Sequence, residues 1–428
     1  MTNKVFIAHI IFEAKTALKI GSRTSDFLQD SPIQKDWNNL PMILGTSIAG
    51  VLRKELDKKE ANKLFGDEEA KKEEAKGSKT IISNALLLDE NKKVNESLLL
   101  NKSEFLDKFI VLPIREHNAI NQKGVTNPTG KYNEEVIYKG TQFKFRIEMI
   151  ESNEDEFKKI LDLLFLNSFR IGAGSSKGFG QIEVLEITYD EFDKSSKEYE
   201  NITSSLNESF SKIYKKEDIK NNNYIKYELN LEAVDFFMFG SGYGDDDANM
   251  TPTYENVVDY DNKDLSKEKT LIPASSIKGA ISHRTTYHYN LLNELFIEDT
   301  SKTPFSVVEA IFGAKKDNEK DGFKGNILIS DLYLDNTSTK VFDHVSIDRF
   351  TGGAIDSALF NEKTVSTNEE FTLEILVKKD IEEKDEKAIK AFENTLKEIT
   401  TGMLSLGGAT TKGHGVFTGT VFKNGDKI

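Results

Sequence analysis

What this chain can fold into is decided first by an internal duplication: one ordered set of short motifs occurs twice. Glu13-Ala14 and Gly21-Ser22 return as Glu232-Ala233 and Gly240-Ser241. The segment LGTSIAG, with Ser47, returns as IPASSIKG, with Ser276, while Phe65-Gly66 and Ile82-Ser83 return as Phe312-Gly313 and Ile329-Ser330. HNAINQ, from His117, is matched by HVSIDR, from His344; Phe143 by Phe371; and IGAGSSKGFG by LGGATTKGHG, which aligns Lys177 with Lys412. One matched glycine loop is within reach of chance, but a whole series in register is not, so each repeat is read as one structural unit. A chain of 428 residues also exceeds what a single hydrophobic core spans. The expected division is a first unit over 1–190, a polar connector over 191–222 and a second unit over 223–428.

Cysteine is absent, which excludes disulfides and thiolate-held zinc and fits a reducing compartment. The start, MTNKVFIAHIIFEAK, alternates polar and apolar residues, and no apolar run approaches the roughly 20 residues a membrane span needs. A cytoplasmic protein without a membrane partner is expected. The net charge of −14 argues on its face against nucleic acid. Its distribution qualifies that: the acids crowd into segments such as KKEEAKGSK and DIEEKDEKAIKAFEN, which read as solvated faces. The seven arginines, in a chain whose cations are mostly lysine, sit largely at the repeated motifs: Arg23, Arg53, Arg170, Arg284 and Arg349 within or beside them, and Arg115 just before one. Guanidinium offers phosphate a planar donor fork, although surface ion pairs explain such arginines equally well.

Periodicity gives the same element order in both copies. A strand at 5–13 and 225–233 precedes a helix opening near Ser47 and near Ser276, where serine is an expected N-cap. Strands follow at 81–88 and 327–334, then the alternating TQFKFRIEM and EFTLEILV, a second helix, the glycine loop, and a last strand (QIEVLEI; GVFTGTVF). This βαββαβ order is ferredoxin-like, or RRM-like: an α+β fold with four antiparallel strands backed by two helices, the other sheet face open. The connector is polar and is expected to hold at most one amphipathic helix.

In GAGSSKGFGQIEV, serial amides, two hydroxyls and a lysine are suited to wrapping a phosphate. It is not a Walker loop, because glycine follows the lysine. The Gly-Ser-Ser stretch is similar to the phosphate loop of galactokinase-type and homoserine-kinase-type enzymes, but there a helix follows and here a strand does. A single such loop is best read as a turn. Two copies with lysine and glycine at the same spacing favour a binding site.

Together, the glycine loops, LGTSIAG, IPASSIKG and HVSIDRFTGGAIDSALF resemble the RAMP superfamily of CRISPR proteins, and within it the backbone subunits of type III effector complexes. The match spans most of both halves and is strongest in the second. Two backbone-type units end to end are similar to the fused double-backbone subunit of type III-D-like complexes. The resemblance implies guide RNA (crRNA) and target RNA as partners, other type III CRISPR subunits as neighbours, and a thumb-like hairpin inserted in each unit, placed here at 117–139 and 344–368. RNA contacts are then expected in the first unit from Arg23, Ser47, Arg53, His117, Asn118, Ser175, Ser176, Lys177, Gly178 and Gly180. In the second they are expected from Ser275, Ser276, Lys278, Arg284, His344, Arg349, Thr410, Thr411, Lys412, Gly413 and Gly415.

The resemblance also implies target-RNA cleavage by a divalent cation, Mg²⁺ or another, at an aspartate after the first strand. Asp30, in FLQDSPIQKDW, stands at the matching position, with Asp36 as fallback. Taken alone, an aspartate before Ser-Pro is a turn former. The second copy lacks that element; its Asp245, Asp246 and Asp247 read as a solvated loop, so that unit is expected to bind without cutting. Two other functions stay open: a purely structural RNA-binding subunit, and a metal-independent endoribonuclease that matures guide precursors through His117 or His344. Phe179 and His414, inside the loops, suit either base stacking or hydrophobic plugging.

Overall fold

The computed structural model describes residues 3–22, 32–67, 75–120, 126–216, 223–295, 305–314 and 322–428. In the first unit, β1 (Lys4–Ala14) is followed by α1 (Gly45–Glu55), α2 (Lys58–Phe65), β2 (Thr80–Ile82), β3 (Ala85–Leu87), a hairpin of β4 (Ile114–Ile120) and β5 (Thr126–Glu135), β6 (Gln142–Ile150), α3 (Glu154–Leu163) and β7 (Ile182–Asp193). The second unit repeats that order. It contains β8 (Tyr224–Ala233), α4 (Ala274–Leu292), α5 (Phe305–Phe312), β9 (Ile327–Ile329), β10 (Leu332–Leu334), a hairpin of β11 (Ser338–Ile347) and β12 (Ala354–Ser366), β13 (Phe371–Lys378), α6 (Glu386–Thr400) and β14 (Phe417–Lys423). Sheet neighbours run β2/β3-β6-β1-β7 in one unit and β9-β13-β8-β14 in the other, all antiparallel. That is the ferredoxin-like order in duplicate, and each unit has its own apolar core.

Alternation explains how each sheet is covered. In β8, Ile225, Tyr227, Leu229 and Leu231 point into the core while the residues between them stay partly exposed. β1, by contrast, is apolar along nearly its whole length and buried on both faces. The connector covers its second face: Leu206 and Tyr214 join the first core, His9 Nδ1 lies 3.0 Å from the Glu208 carbonyl, and the His9 and Phe210 rings pack at a tilt with centroids 4.6 Å apart. This corrects the expectation of an open sheet face in the first unit. Among its described residues the connector holds one helical turn, Lys197–Glu200, and a two-residue edge strand, Lys212–Ile213, on β7.

A second correction concerns the helix starts. Ser47 and Ser276 lie inside the first turn, and the N-cap positions are Leu44 and Pro273, without side-chain caps. Each expected single strand is instead broken in two, and the residue at the break reaches across. Asn84 Oδ1 accepts from the Gly45 amide at 3.0 Å, and Asp331 Oδ1 from the Ala274 amide at 2.8 Å. A helix start leaves amides without intrahelical partners, and here the next strand supplies one.

The units meet along a buried seam. Arg115, at the root of the first hairpin, is held by Glu255, Asp331 and Tyr333 of the second unit, its Nη2 donating to Glu255 Oε2 at 2.8 Å and to the Tyr333 hydroxyl at 2.9 Å. Burial opposes the Arg115 charge, but Asp331 and Glu255 outweigh it and keep the guanidinium protonated. Tyr260 of the second unit packs into the first core and donates to the Leu88 carbonyl at 2.9 Å.

Candidate nucleic-acid interface

Of the expected RNA-contacting residues, Ser175, Ser176, Lys177, Gly178 and Lys278 converge at the seam, and His117 and Asn118 lie on the first hairpin. The first glycine loop needs left-handed backbone at Gly172, Gly174, Gly178 and Gly180, and it runs directly against the second unit: Gly178 bridges to Ser330, and a β-carbon on Gly178 would overlap the Asp331 carboxylate. Ser175 and Ser176 are consequently buried, at 3% and 8% exposure. Lys278, from the first turns of α4, donates to Ser176 Oγ at 3.2 Å, bringing the second unit's helix start onto the first unit's loop. Burial and then the cations Lys177 and Lys324 push the Lys278 ammonium down to about 8. Lysines from different units thus meet at a loop in which the neighbouring Ser175 Oγ is buried without a hydrogen-bond partner among the described residues. Like charges, amides and an unsatisfied hydroxyl at one place are suited to an anion. Nearby, Arg170 donates to Ser330 Oγ at 3.1 Å, and burial lowers it to about 10.

The second loop has the same backbone, but among the described residues no other unit packs on it. Thr410 to Lys412 form a 3-10 turn between left-handed Ala409 and Gly413; Thr410, Thr411 and Gly413 are exposed, and a β-carbon at Gly413 would meet open space. Gly415 is left-handed and packed on the Leu406 carbonyl, as Gly180 is on Ile171. The equivalent helix start in the first unit, with Ser47, has Ala49 where the second has Lys278. Phe179 and His414 resolve as plugs: Phe179 is fully buried under the Arg115 guanidinium, and His414 packs on Phe236 and Phe342.

Both hairpins overlap the expected segments but begin earlier, at Ile114 and Ser338, and both histidines sit on their first strands. His117 stacks on Tyr132 at 5.0 Å and lies 3.3 Å from Glu134, while His344 stacks on Phe360 at 5.0 Å and lies 2.9 Å from Glu362. Lys177 lies over Tyr132 and donates to its hydroxyl at 2.9 Å; Lys412 lies over Phe360 and donates to Glu362 at 2.7 Å. Glu134 also holds Lys19, and Glu362 also holds His414 at 3.2 Å. Burial would raise the Glu134 carboxyl, but the close approach of His117 and the hydrogen bond from Lys19 outweigh it and hold it at about 2; Glu362 is lowered by Lys412 and His344 against the same burial. Neither glutamate was singled out from sequence. The signal was the Asn-Glu pair recurring at Asn133-Glu134 and Asn361-Glu362, in register with the two histidines.

Other expected contacts are engaged elsewhere or lie apart. Arg53 donates to the Gly66 carbonyl at 2.7 Å, tying α1 to the end of α2. Arg284 and His288, one turn apart on α4, share Glu398 of α6, so Arg284 braces two helices while His283 faces outward. Asn118 and Arg349 are exposed on the hairpins, Arg349 in the tight turn that Asp348 closes by accepting from Phe350 and Thr351 amides. Arg23 and Asp30 lie outside the described residues. Asp36 accepts from the Asn38 and Leu40 amides, a turn-forming role. Asp245 and Asp247 are paired with Lys363, and among the described residues no cluster of three or more His, Asp or Glu side chains is placed to hold a metal. Among the described residues, too, no helix is long and apolar enough to cross a membrane.

Tandem ferredoxin-like units, each with an inserted hairpin and a glycine loop before its last strand, define the structural class. A model of the RAMP superfamily matches residues 11–183 and 230–418, one match per unit, and the chain belongs to that family. Among curated proteins, none matches. Among solved structures, the chain is similar to one in the cryo-EM structure of the type III-B Cmr-beta complex bound to cognate target RNA. The identity is 21% and the TM-score 0.32, with 45% of this chain and 62% of that chain covered.

Proposed function

We propose that the chain is an RNA-binding backbone subunit of a type III RNA-guided complex, holding guide RNA along both units and presenting its two hairpins to the guide–target duplex beside other subunits of the complex. The observation that carries this is the seam, where Ser176 and Lys177 of one unit meet Lys278 of the next. A polynucleotide is the anion that can run from such a site to the open loop at Thr410, Thr411 and Lys412. The acidic net charge is compatible with this, because phosphate neutralisation is local and salt-dependent. Purification of the chain with its partner subunits tests the reading: a defined small RNA should accompany it, protected along both units. Absence of RNA from that assembly overturns it.

Binding stands without cleavage, and the described residues support the structural role more directly. Cutting of target RNA through Asp30 with Mg²⁺ is a separate proposal. In an Asp30→Ala chain, assembly with guide RNA should persist and one target cut should disappear; unchanged cutting removes the enzymatic claim. The pairing of His117 and His344 with carboxylates also supplies the orienting partner that histidine chemistry uses. Cleavage of a hairpin precursor by the purified chain in EDTA would move the assignment to guide maturation.

A further inference from the structure

We infer that Glu134 and Glu362 are positioning residues: Glu362 latches its hairpin to the glycine loop of the same unit, so that the two RNA-facing elements move as one body, while Glu134 ties the first hairpin to Lys19 in the loop after β1, beside the Lys177–Tyr132 contact. The duplication is the first support. The paired positions keep glutamate on the return strand, histidine on the outgoing strand, lysine in the loop and an aromatic ring beneath them, although the surrounding sequence has diverged. Geometry is the second. The Glu362 side chain is fully buried and gathers Lys412 and His414 from the loop with His344 from the hairpin, whereas Lys412 and His344 themselves remain about one-third exposed, at 33% and 29%. The carboxylate lies beneath its cations, which keep a solvent-facing side for a ligand.

The third support is the exposure of the outer part of the second hairpin, whose anchorage lies at its base around Glu362. Along β11 and the distal half of β12 the residues are largely exposed, up to Phe350 at 99%. Its base is further tied to the body through Phe237 with Val365, Met250 with Glu362, Lys363 with Asp245 and Asp247, Asn361 with Asn249 and Asp247, and Phe342 with Phe236. The first hairpin has an additional anchor, Arg115 in the seam, so its latch is partly redundant.

The latch and a plain electrostatic view predict opposite signs. If Glu362 merely opposed phosphate, neutralising it would strengthen RNA binding. As a latch, the isosteric Glu362→Gln releases Lys412 and the hairpin and weakens it. Two arms on the full chain test this. In RNA-free protein, Glu362→Gln should speed amide exchange across Ser338–Ser366 by at least roughly tenfold, since a charge-assisted hydrogen bond exceeds the ~1.4 kcal/mol that a factor of ten requires. Exchange in Phe371–Lys378 should not change, which controls for global unfolding. Lys412→Met, with the opposite change of charge, should release the same hairpin, Glu362→Asp should recover part of the protection, and Glu134→Gln should have the smaller effect. Unchanged hairpin exchange in Glu362→Gln overturns the latch. The second arm rests on the proposed RNA role: single-stranded RNA affinity should fall in Glu362→Gln, and a rise overturns the positioning role. Failure of the wild-type chain to bind RNA would sink the functional reading and leave the exchange result standing.

Discussion

The two glycine loops share spacing and backbone, yet one is closed and the other open. The first is roofed by the next unit, which buries Ser175 and Ser176 and brings Lys278 alongside Lys177. In the second, Thr410 and Thr411 stand exposed. A repeated motif therefore specifies only half of a site, and the chemistry of the other half comes from whichever module packs against it. The hairpin roots differ in the same way: Arg115 reaches across the seam, whereas Phe342, its counterpart, packs within its own unit on Phe236.

The sharpest way to break the contrast is Arg115→Met. It leaves Asp331 and Glu255 buried without a counter-charge, and removing one partner of a buried ion pair costs about 3–5 kcal/mol. Denaturant unfolding should show that loss, and the triple change Arg115→Met, Glu255→Gln, Asp331→Asn should recover most of it. A loss below 1 kcal/mol would mean that the seam is solvated. Next come the paired glycines. Gly178→Ala meets both left-handed backbone and the Asp331 carboxylate, and should cost about 2–4 kcal/mol; Gly413→Ala meets only the backbone penalty of about 1–2 kcal/mol. Equal costs would deny that the first loop is closed.

The smallest effect is a pH dependence. Burial and cationic neighbours hold the Lys278 ammonium near 8, below its ordinary value, so its charge is present at neutral pH and lost as pH rises through that value. RNA affinity should decline between about pH 7 and 9 in the wild-type chain, and this component should be missing in Lys278→Met. An identical profile in both would remove Lys278 from the site.

Much of the fold was legible because the duplication supplied an internal alignment. Alternation in TQFKFRIEM and EFTLEILV located the central strands, and the hairpins fell between the expected elements. Contacts distant in sequence were not legible. Nothing local to Ser47 or Ser276 reveals that Asn84 and Asp331 satisfy those helix starts, and the apolar run of β1 does not disclose which segment covers it. In the site, lysine and glycine spacing marked the loops correctly as repeated features, but the pairing of Ser176 with Lys278 arises only when the units dock. Arg53 and Arg284 illustrate the converse: arginines beside motifs whose guanidinium groups are occupied by Gly66 and Glu398.

The central claim, that one RNA-binding site is assembled by both units, is tested most directly by a double-mutant cycle across the seam. RNA affinity would be measured against salt for Lys177→Met, Lys278→Met and the double variant. Each single change should flatten the salt dependence by about 0.7 per lost phosphate contact, and the double change should be non-additive by about 0.5–3 kcal/mol, as for residues sharing one partner. Strict additivity, or affinity indifferent to Lys278, would contradict the account.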